Sequence, residues 1–229
     1  EIGRYIARVH ISGDYFVNFA DANARVAPDG RMVYRYGKRI GDPDMLALGA
    51  FAHARSNYLT SANWRASFHR ALPEIFEWQE LSSAESEAPY IRDSWMEGIQ
   101  VMIARERAGS DRGLYLAAKG GHNSESHNHN DLGSCVMYYN GKPCLVDIGR
   151  ETYTAKTFSS KRYEIWTMQS QYHNLPKING VDQKEGRNFV AAHSTFSADA
   201  QKAVFSTDIA KAYPETAGVA KWLRYYTLE

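Results

Sequence analysis

Asn140-Gly141 stands between two largely apolar runs, 134–139 and 142–147. Asn and Gly are the residues that accept the positive φ angles of a two-residue hairpin turn, so this stretch has to fold back as antiparallel strands. A two-residue loop pairs Tyr139 with Lys142, which sets Cys135 opposite Val146 and Asp147 opposite Ser134. Cys135 and Cys144 are the 2 cysteines of the chain. In this register they share a face but not a rung, which argues against a disulfide and leaves the redox compartment open. Asn179-Gly180 predicts a second hairpin. Residues 90–96, 98–105, 114–119, 190–196, 203–209 and 219–226 have strand texture, with turn residues between them.

Before residue 85 the pattern is different. Ile2, Tyr5, Ile6 and Val9 recur at helical spacing over residues 1–11. Asp42-Pro43-Asp44 is a helix start signal, and Met45, Leu46, Leu48, Phe51 and Ala52 continue an apolar stripe toward Tyr58. Residues 63–71 predict a shorter helix, with Pro73 ending it or beginning the next. The small, polar, acidic stretch 81–89 predicts a linker. The chain therefore divides into a helical domain, 1–84, and an antiparallel sheet domain, 85–229: an α+β architecture, with both parts expected to be incomplete.

Composition narrows the function. Lys plus Arg is 27 against 26 for Asp plus Glu, a formal net charge of +1, which argues against a nucleic-acid binder. The longest nearly apolar run, 45–54, is about half the roughly 20 residues of a membrane helix. No signal-peptide pattern opens the chain, and it starts without Met, so it is expected to be a processed product or an excised piece.

The chemistry concentrates in His122-Asn-Ser-Glu-Ser-His127-Asn-His129-Asn-Asp131. A stretch this polar is hard to explain as packing. If 126–130 is extended, His127 and His129 point to one face. That suits a metal pair, or one ligand and one catalytic group. Asp147, at the end of the hairpin, and His173, in Gln171-Tyr172-His173-Asn174, are the candidates to complete a His-His-carboxylate zinc set. A lone histidine is more often a hydrogen-bonded bystander, and His10, His53, His69 and His193 are read that way. His127-Asn128-His129 matches the letters of an HNH nuclease, but that name describes residues far apart in sequence.

Gly120-Gly-His-Asn-(x)3-His-Asn-His-Asn-Asp-Leu-Gly-Ser134, Asp147-Ile-Gly, Tyr153, Arg162-Tyr163, Ser170-x-x-His173-Asn174-x-Pro176 and Asn179-Gly180-x-x-Gln183 together resemble the heparinase II/III family of polysaccharide lyases. Tyr15-Phe-Val-Asn-Phe-Ala-Asp-Ala22 resembles a late helical segment of bacterial members. The resemblance is dense from His122 to Gln183 and sparse elsewhere. It implies the end of an α/α toroid followed by the first part of a β-sandwich, with substrate held in the cleft between them. It also implies secretion to the periplasm of a Gram-negative bacterium. Carried over by position, His129, Asp147 and His173 match the zinc ligands, and the metal has a structural role. His127 matches the substrate-facing histidine. Tyr163, with Tyr153 as second choice, matches a tyrosine of the cleft. The toroid tyrosine that serves as acid or base, and the Asn or His that neutralises the uronate, have no matching segment before Glu1, so this chain is expected to lack part of the catalytic set.

Such a lyase breaks a 4-linked uronic acid by β-elimination. The substrate carboxylate must be neutralised, a base must take the C5 proton, and an acid must protonate O4. No water attacks. His127, Tyr163 and Arg162 are the candidate catalytic residues, His127 as neutraliser or proton carrier and Tyr163 as a proton donor or acceptor assisted by Arg162. His122, Glu125, Tyr153 and Trp166 are candidate substrate contacts. Glu125 and His122 would orient the other histidines, and Trp166 and Tyr172 would stack on sugar if they are not strand core. Arg150 to Arg187 carries seven Lys or Arg against four Asp or Glu, an excess suited to a polyanion such as heparan sulfate, another glycosaminoglycan or alginate. Two other readings stay open. One is a hydrolase with zinc on His127, His129 and Asp147 activating water. The other is a non-catalytic, zinc-stabilised module that binds carbohydrate or a partner chain. Neither nucleic acid nor membrane is an expected partner, and the sequence leaves the oligomeric state open.

Overall fold

The computed structural model describes residues 2–56 and 68–229. The chain forms two compact units: Glu1–His10 with Arg25–Ile91, and Ile11–Ala24 with Arg92–Glu229. The last helix ends at Ser83, next to the boundary of 84 that the linker composition suggested, while the compact units divide after Ile91. The segment Ile11–Ala24, expected in the helical domain, folds with the sheet unit.

The first unit is built on helices. Residues 1–11, expected as one helix, form a 3-10 turn and the short α1 (Tyr5–Arg8) before the chain extends. Helix α2 (Gly30–Ile40) was not expected from the apolar pattern, although its punctuation is clear. The Asp29 carboxylate accepts from the amides of Arg31 and Met32, and Gly41 closes the helix in a left-handed conformation. Helix α3 (Pro43–Arg55) starts where expected, with the Asp42 carboxylate accepting from the Met45 amide and Pro43 in the first turn. Glycines let α2 and α3 approach closely. A Cβ on Gly49 would lie 2.4 Å from the Tyr34 amide nitrogen. Tyr34, Ala50 and Leu81 form a buried cluster of this unit. Helix α4 (Phe68–Ser83) runs through Pro73, which was expected to end one helix or begin the next. The predicted helix 63–71 and the end of the 45–58 stripe lie largely outside the described residues.

The second unit opens within β1 (His10–Ser12), at Ile11, and β1 pairs with β2 (Tyr15–Phe16) as a small ladder. Next come β3 (Asp93–Met96), β4 (Val101–Arg105), β5 (Leu114–Lys119), β6 (His122–Asn123), β7 (Cys135–Tyr139) and β8 (Lys142–Leu145). The last four strands are β9 (Gly186–Val190), β10 (Ala192–Ala198), β11 (Ala203–Asp208) and β12 (Leu223–Leu228). An antiparallel five-stranded sheet, β3-β4-β5-β7-β8, and a three-stranded sheet, β10-β11-β12, carry the fold. Met102 and Ala104 of the first sheet meet Phe205, Tyr226 and Leu228 of the second in one buried cluster, so the two sheets form a sandwich. The architecture is α+β.

The Asn140-Gly141 hairpin forms, with both residues at positive φ and Tyr139 opposite Lys142. Its register differs from the simple one. Tyr138 faces Pro143 but Met137 faces Leu145, so Cys144 is the extra residue of a β-bulge. Beyond the bulge the ladder ends, and the pairings predicted for Val146 and Asp147 do not form. The Asn174 amide takes over, donating at 2.8 Å to the carbonyls of both Cys135 and Val146. Both cysteines are free, Cys135 buried and Cys144 exposed. The second Asn-Gly makes a tight turn with a single Ile178–Val181 bridge rather than a hairpin of two strands. From 155 to 172 the chain is a run of 3-10 turns, so Arg162, Tyr163, Trp166 and Tyr172 do not lie on strands.

Candidate functional site: a buried triad and a shared carboxylate

The histidine stretch is a turn, not a strand. After the two residues of β6 the chain bends, and His127 has a φ of 58°. This left-handed backbone, which few non-glycine residues adopt, separates the fates of two neighbours. The His127 side chain is 53% exposed, whereas that of His129 is fully buried. The expected common face is replaced by a common partner, the Asp21 carboxylate, whose side chain is 4% exposed.

Asp21 was not singled out from the sequence, although it lies inside the Tyr15–Ala22 motif. Its Oδ1 lies 2.9 Å from His129 Nε2 and accepts from Arg162 Nη2 at 2.9 Å. Its Oδ2 lies 2.9 Å from His127 Nδ1 and accepts from the Tyr153 hydroxyl at 3.0 Å. Burial alone would raise the Asp21 pKa. The hydrogen bonds from His129, Arg162 and His127 outweigh it and hold the pKa down at about 2. With a carboxylate on its Nδ1, the neutral His127 ring is protonated there and presents the Nε2 lone pair outward. The Tyr153 ring stacks beside it, centroids 6.4 Å apart and planes at 19°. Burial and the Asp21 bond raise the Tyr153 pKa, so its phenol keeps its proton.

The other face of His129 meets the second cluster. His129, Asp147 and His173 each offer a ligand atom, and these atoms lie within 4.8 Å of one another, all three residues buried. His173 Nδ1 is 2.8 Å from Asp147 Oδ2, and His173 Nε2 is 3.1 Å from the Thr167 carbonyl. That carbonyl can only accept, so Nε2 carries a proton and Nδ1 faces the carboxylate. Burial disfavours charge on His173, but the Asp147 bond and charge prevail and raise its pKa. Burial lowers the pKa of His129. A neutral His129 donates from Nε2 to Asp21, which leaves Nδ1 as an acceptor. That buried Nδ1 has no hydrogen-bond partner. An orphaned imidazole lone pair beside a second imidazole and a carboxylate is what a metal ion would satisfy, and each histidine already has an acceptor behind its other nitrogen.

The remaining candidates are placed as follows. Arg162 does not turn its guanidinium toward Tyr163. Besides Asp21 it donates to the carbonyls of Asn128, at 3.0 Å, and Thr157, at 3.2 Å. The Tyr163 hydroxyl accepts from the Asn128 amide at 3.2 Å, one residue from His127. Among the described residues, neither His122 nor Glu125 is hydrogen-bonded to the ring of another histidine. His122 Nδ1 accepts from the Ser124 amide, and Glu125 accepts from the His122 amide and lies 3.7 Å from the buried Lys119 ammonium. Trp166 donates to Glu151 and packs edge-on against Tyr172, both rings exposed. The triad holds His173 where the hydrolase reading put His127. Of the four bystanders, His10 is buried against Phe51 and Tyr90, His53 meets Trp78 edge-on, His193 is exposed, and the His69 side chain lies outside those described.

Residues 97–227, more than half of the chain, match the heparinase II/III-like C-terminal domain. The chain belongs to the heparinase II/III family. Solved structures of similar fold include a heparinase III (TM-score 0.60, 14% identity, 98% of this chain and 30% of that one). A heparan sulfate lyase from Pedobacter heparinus is another (TM-score 0.54, 12% identity, 88% of this chain and 26% of that one). The chain thus spans less than a third of the length of these family structures. No curated protein matches the sequence. Among the described residues, no helix is long and apolar enough to cross a membrane.

Proposed function

We propose that this chain is part of a polysaccharide lyase that cleaves a 4-linked uronic-acid polysaccharide by β-elimination, in the periplasm of a Gram-negative bacterium. The substrate is a glycosaminoglycan such as heparan sulfate, or alginate. Family membership supports the reaction class, and the heparan sulfate lyases of similar fold support an acidic polysaccharide. The observation that carries the reading is the His127–Asp21 pair, a half-exposed imidazole whose Nδ1 is held by a buried carboxylate 2.9 Å away.

In this reading His127 Nε2 takes the C5 proton. Asp21 fixes the tautomer and offsets the charge that the ring gains. The Tyr153 hydroxyl, kept protonated, stands next to His127 and gives its proton to O4 of the leaving sugar. Tyr163, tied through Asn128 to the same turn, is the alternative donor. Arg162 holds Asp21 and the turn in place. Exposed Trp166 offers a face for a sugar ring, and Arg150, 4.5 Å over the Tyr153 ring, adds a cation for an acidic polymer. His122 and Glu125 brace the entry to the turn and stay candidate contacts for the substrate.

His129, Asp147 and His173 would hold zinc. When bound, zinc supplies a cross-link between three distant segments and no nucleophile, because elimination consumes no water.

The test is product chemistry with the full-length protein. Elimination leaves an unsaturated uronate that absorbs in the ultraviolet, and His127→Gln should abolish its formation. Chain cleavage with new reducing ends but no ultraviolet absorbance would refute the lyase reading in favour of hydrolysis.

A further inference from the structure

We propose that Asp21 is a positioning residue that couples occupancy of the His129–Asp147–His173 site to the orientation of His127. The inference rests on the reading of that triad as a zinc site.

A carboxylate has about four lone-pair positions. Asp21 uses all of them, with His129 and Arg162 on Oδ1 and His127 and Tyr153 on Oδ2. No position is left for water to absorb a displacement. The loop that brings Asp21 is itself held. The Phe16 amide donates to the Ala24 carbonyl at 2.9 Å, and the Asn18 amide reaches the Asp147 carbonyl at 3.4 Å. The loop therefore touches two members of the triad, His129 through Asp21 and Asp147 through Asn18. An ion on His129 Nδ1 would polarise Nε2–H and draw Asp21 Oδ1 toward it. The same rigid group would then shift Oδ2, where His127 and Tyr153 are anchored. Outer carboxylates of this kind support metal affinity by about 10–100-fold. Here the carboxylate also serves the half-exposed imidazole two residues from the buried one.

The experiment uses zinc alone, without substrate, on the wild-type chain, Asp21→Asn and Asp21→Ala. Zinc affinity is measured by chelator competition. The His127 ring is followed by proton–nitrogen correlation spectra, assigned with His127→Gln, in metal-free and zinc-loaded protein. We expect zinc to bind about 10–100-fold more weakly to the variants. The His127 ring signals should move on zinc loading in wild type and lose that response in the variants. Circular dichroism checks folding; Asp21→Asn keeps the shape if the alanine variant does not fold, and the wild-type titration decides if neither does. Variants that bind zinc within twofold of wild type, or a wild-type His127 unmoved by zinc, would overturn the coupling while leaving the zinc reading intact. A wild-type chain that takes up no zinc would overturn both.

Discussion

Acid should remove a measurable part of the stability of this chain through Asp21 alone. Its pKa is about 2 in the folded chain against an ordinary 3.8. Each tenfold change in proton affinity is worth about 1.4 kcal/mol, so the depressed value corresponds to about 2 kcal/mol. The sign follows from the direction of the change. The folded state binds the proton less readily than the unfolded one, so the stabilisation is complete above the unfolded pKa. It is lost as pH falls from near 5 toward 2. Asp21→Asn removes the titrating group while keeping its shape. At neutral pH the variant should be the weaker protein, because Arg162 and two imidazoles then face an amide. The informative quantity is how the gap changes with pH. Urea unfolding of both proteins at intervals from pH 6 to pH 2, with chelator present, should show the gap closing by about 2 kcal/mol as wild type loses its advantage. Asp42 and Asp131, whose pKa values are also lowered, titrate in both proteins and cancel. A gap that stays constant across this range would refute the account of Asp21 as a buried carboxylate sustained by four donors.

His173 should give the opposite profile in metal-free protein. Its pKa lies above 6.5, so the stability that it contributes is present below 6.5 and lost as pH rises through the folded value, a dependence that His173→Gln should abolish. Zinc uptake should run the other way, weakening as pH falls, because proton and metal compete for the ring. Phe205 is fully buried between Trp95, at 5.3 Å, and Tyr226, at 5.4 Å, so Phe205→Ala should cost about 3–5 kcal/mol in denaturant unfolding; a loss below about 1 kcal/mol would contradict the packing of the two sheets on this cluster. A thiol reagent should modify Cys144 quickly and Cys135 only on unfolding, since burial raises the Cys135 pKa. Two fast thiols per folded chain would refute that placement.

Local chemistry made part of this molecule readable. Asp42-Pro43 announced α3 and Asn140-Gly141 announced the central hairpin, because caps and tight turns depend on a few adjacent residues. The triad was readable in part. Residue types offered His127, His129, Asp147 and His173 together, and it was the resemblance to the heparinase II/III family that picked out His129, Asp147 and His173, the three that the fold brings together. What the sequence withheld depends on distant partners. The conformation at His127 was misread because alternation assumes an extended chain, and nothing local signals a left-handed histidine. Asp21 stayed hidden for the same reason. One aspartate in an apolar segment gives no sign that its four donors lie more than a hundred residues away. Pro73 was taken for a boundary, the end of one helix or the start of the next, because its missing amide argues against continuation, yet α4 runs through it.

The bulge at Cys144 constrains how the length of this chain can vary. Side chains alternate along a strand, so a change of one residue moves everything beyond it to the other face. The extra residue at Cys144 lets the chain leave the ladder after Leu145 and deliver the Asp147 carboxylate to His173. Substituting the exposed Cys144 should change little, because its thiol faces solvent and donates only to the Lys142 carbonyl two residues away. Deleting it would straighten the hairpin, detach Val146 from the Asn174 amide and turn Asp147 away from the two histidines. At this position the number of residues matters more than their identity, and single-residue deletions should be the least tolerated changes in the hairpin.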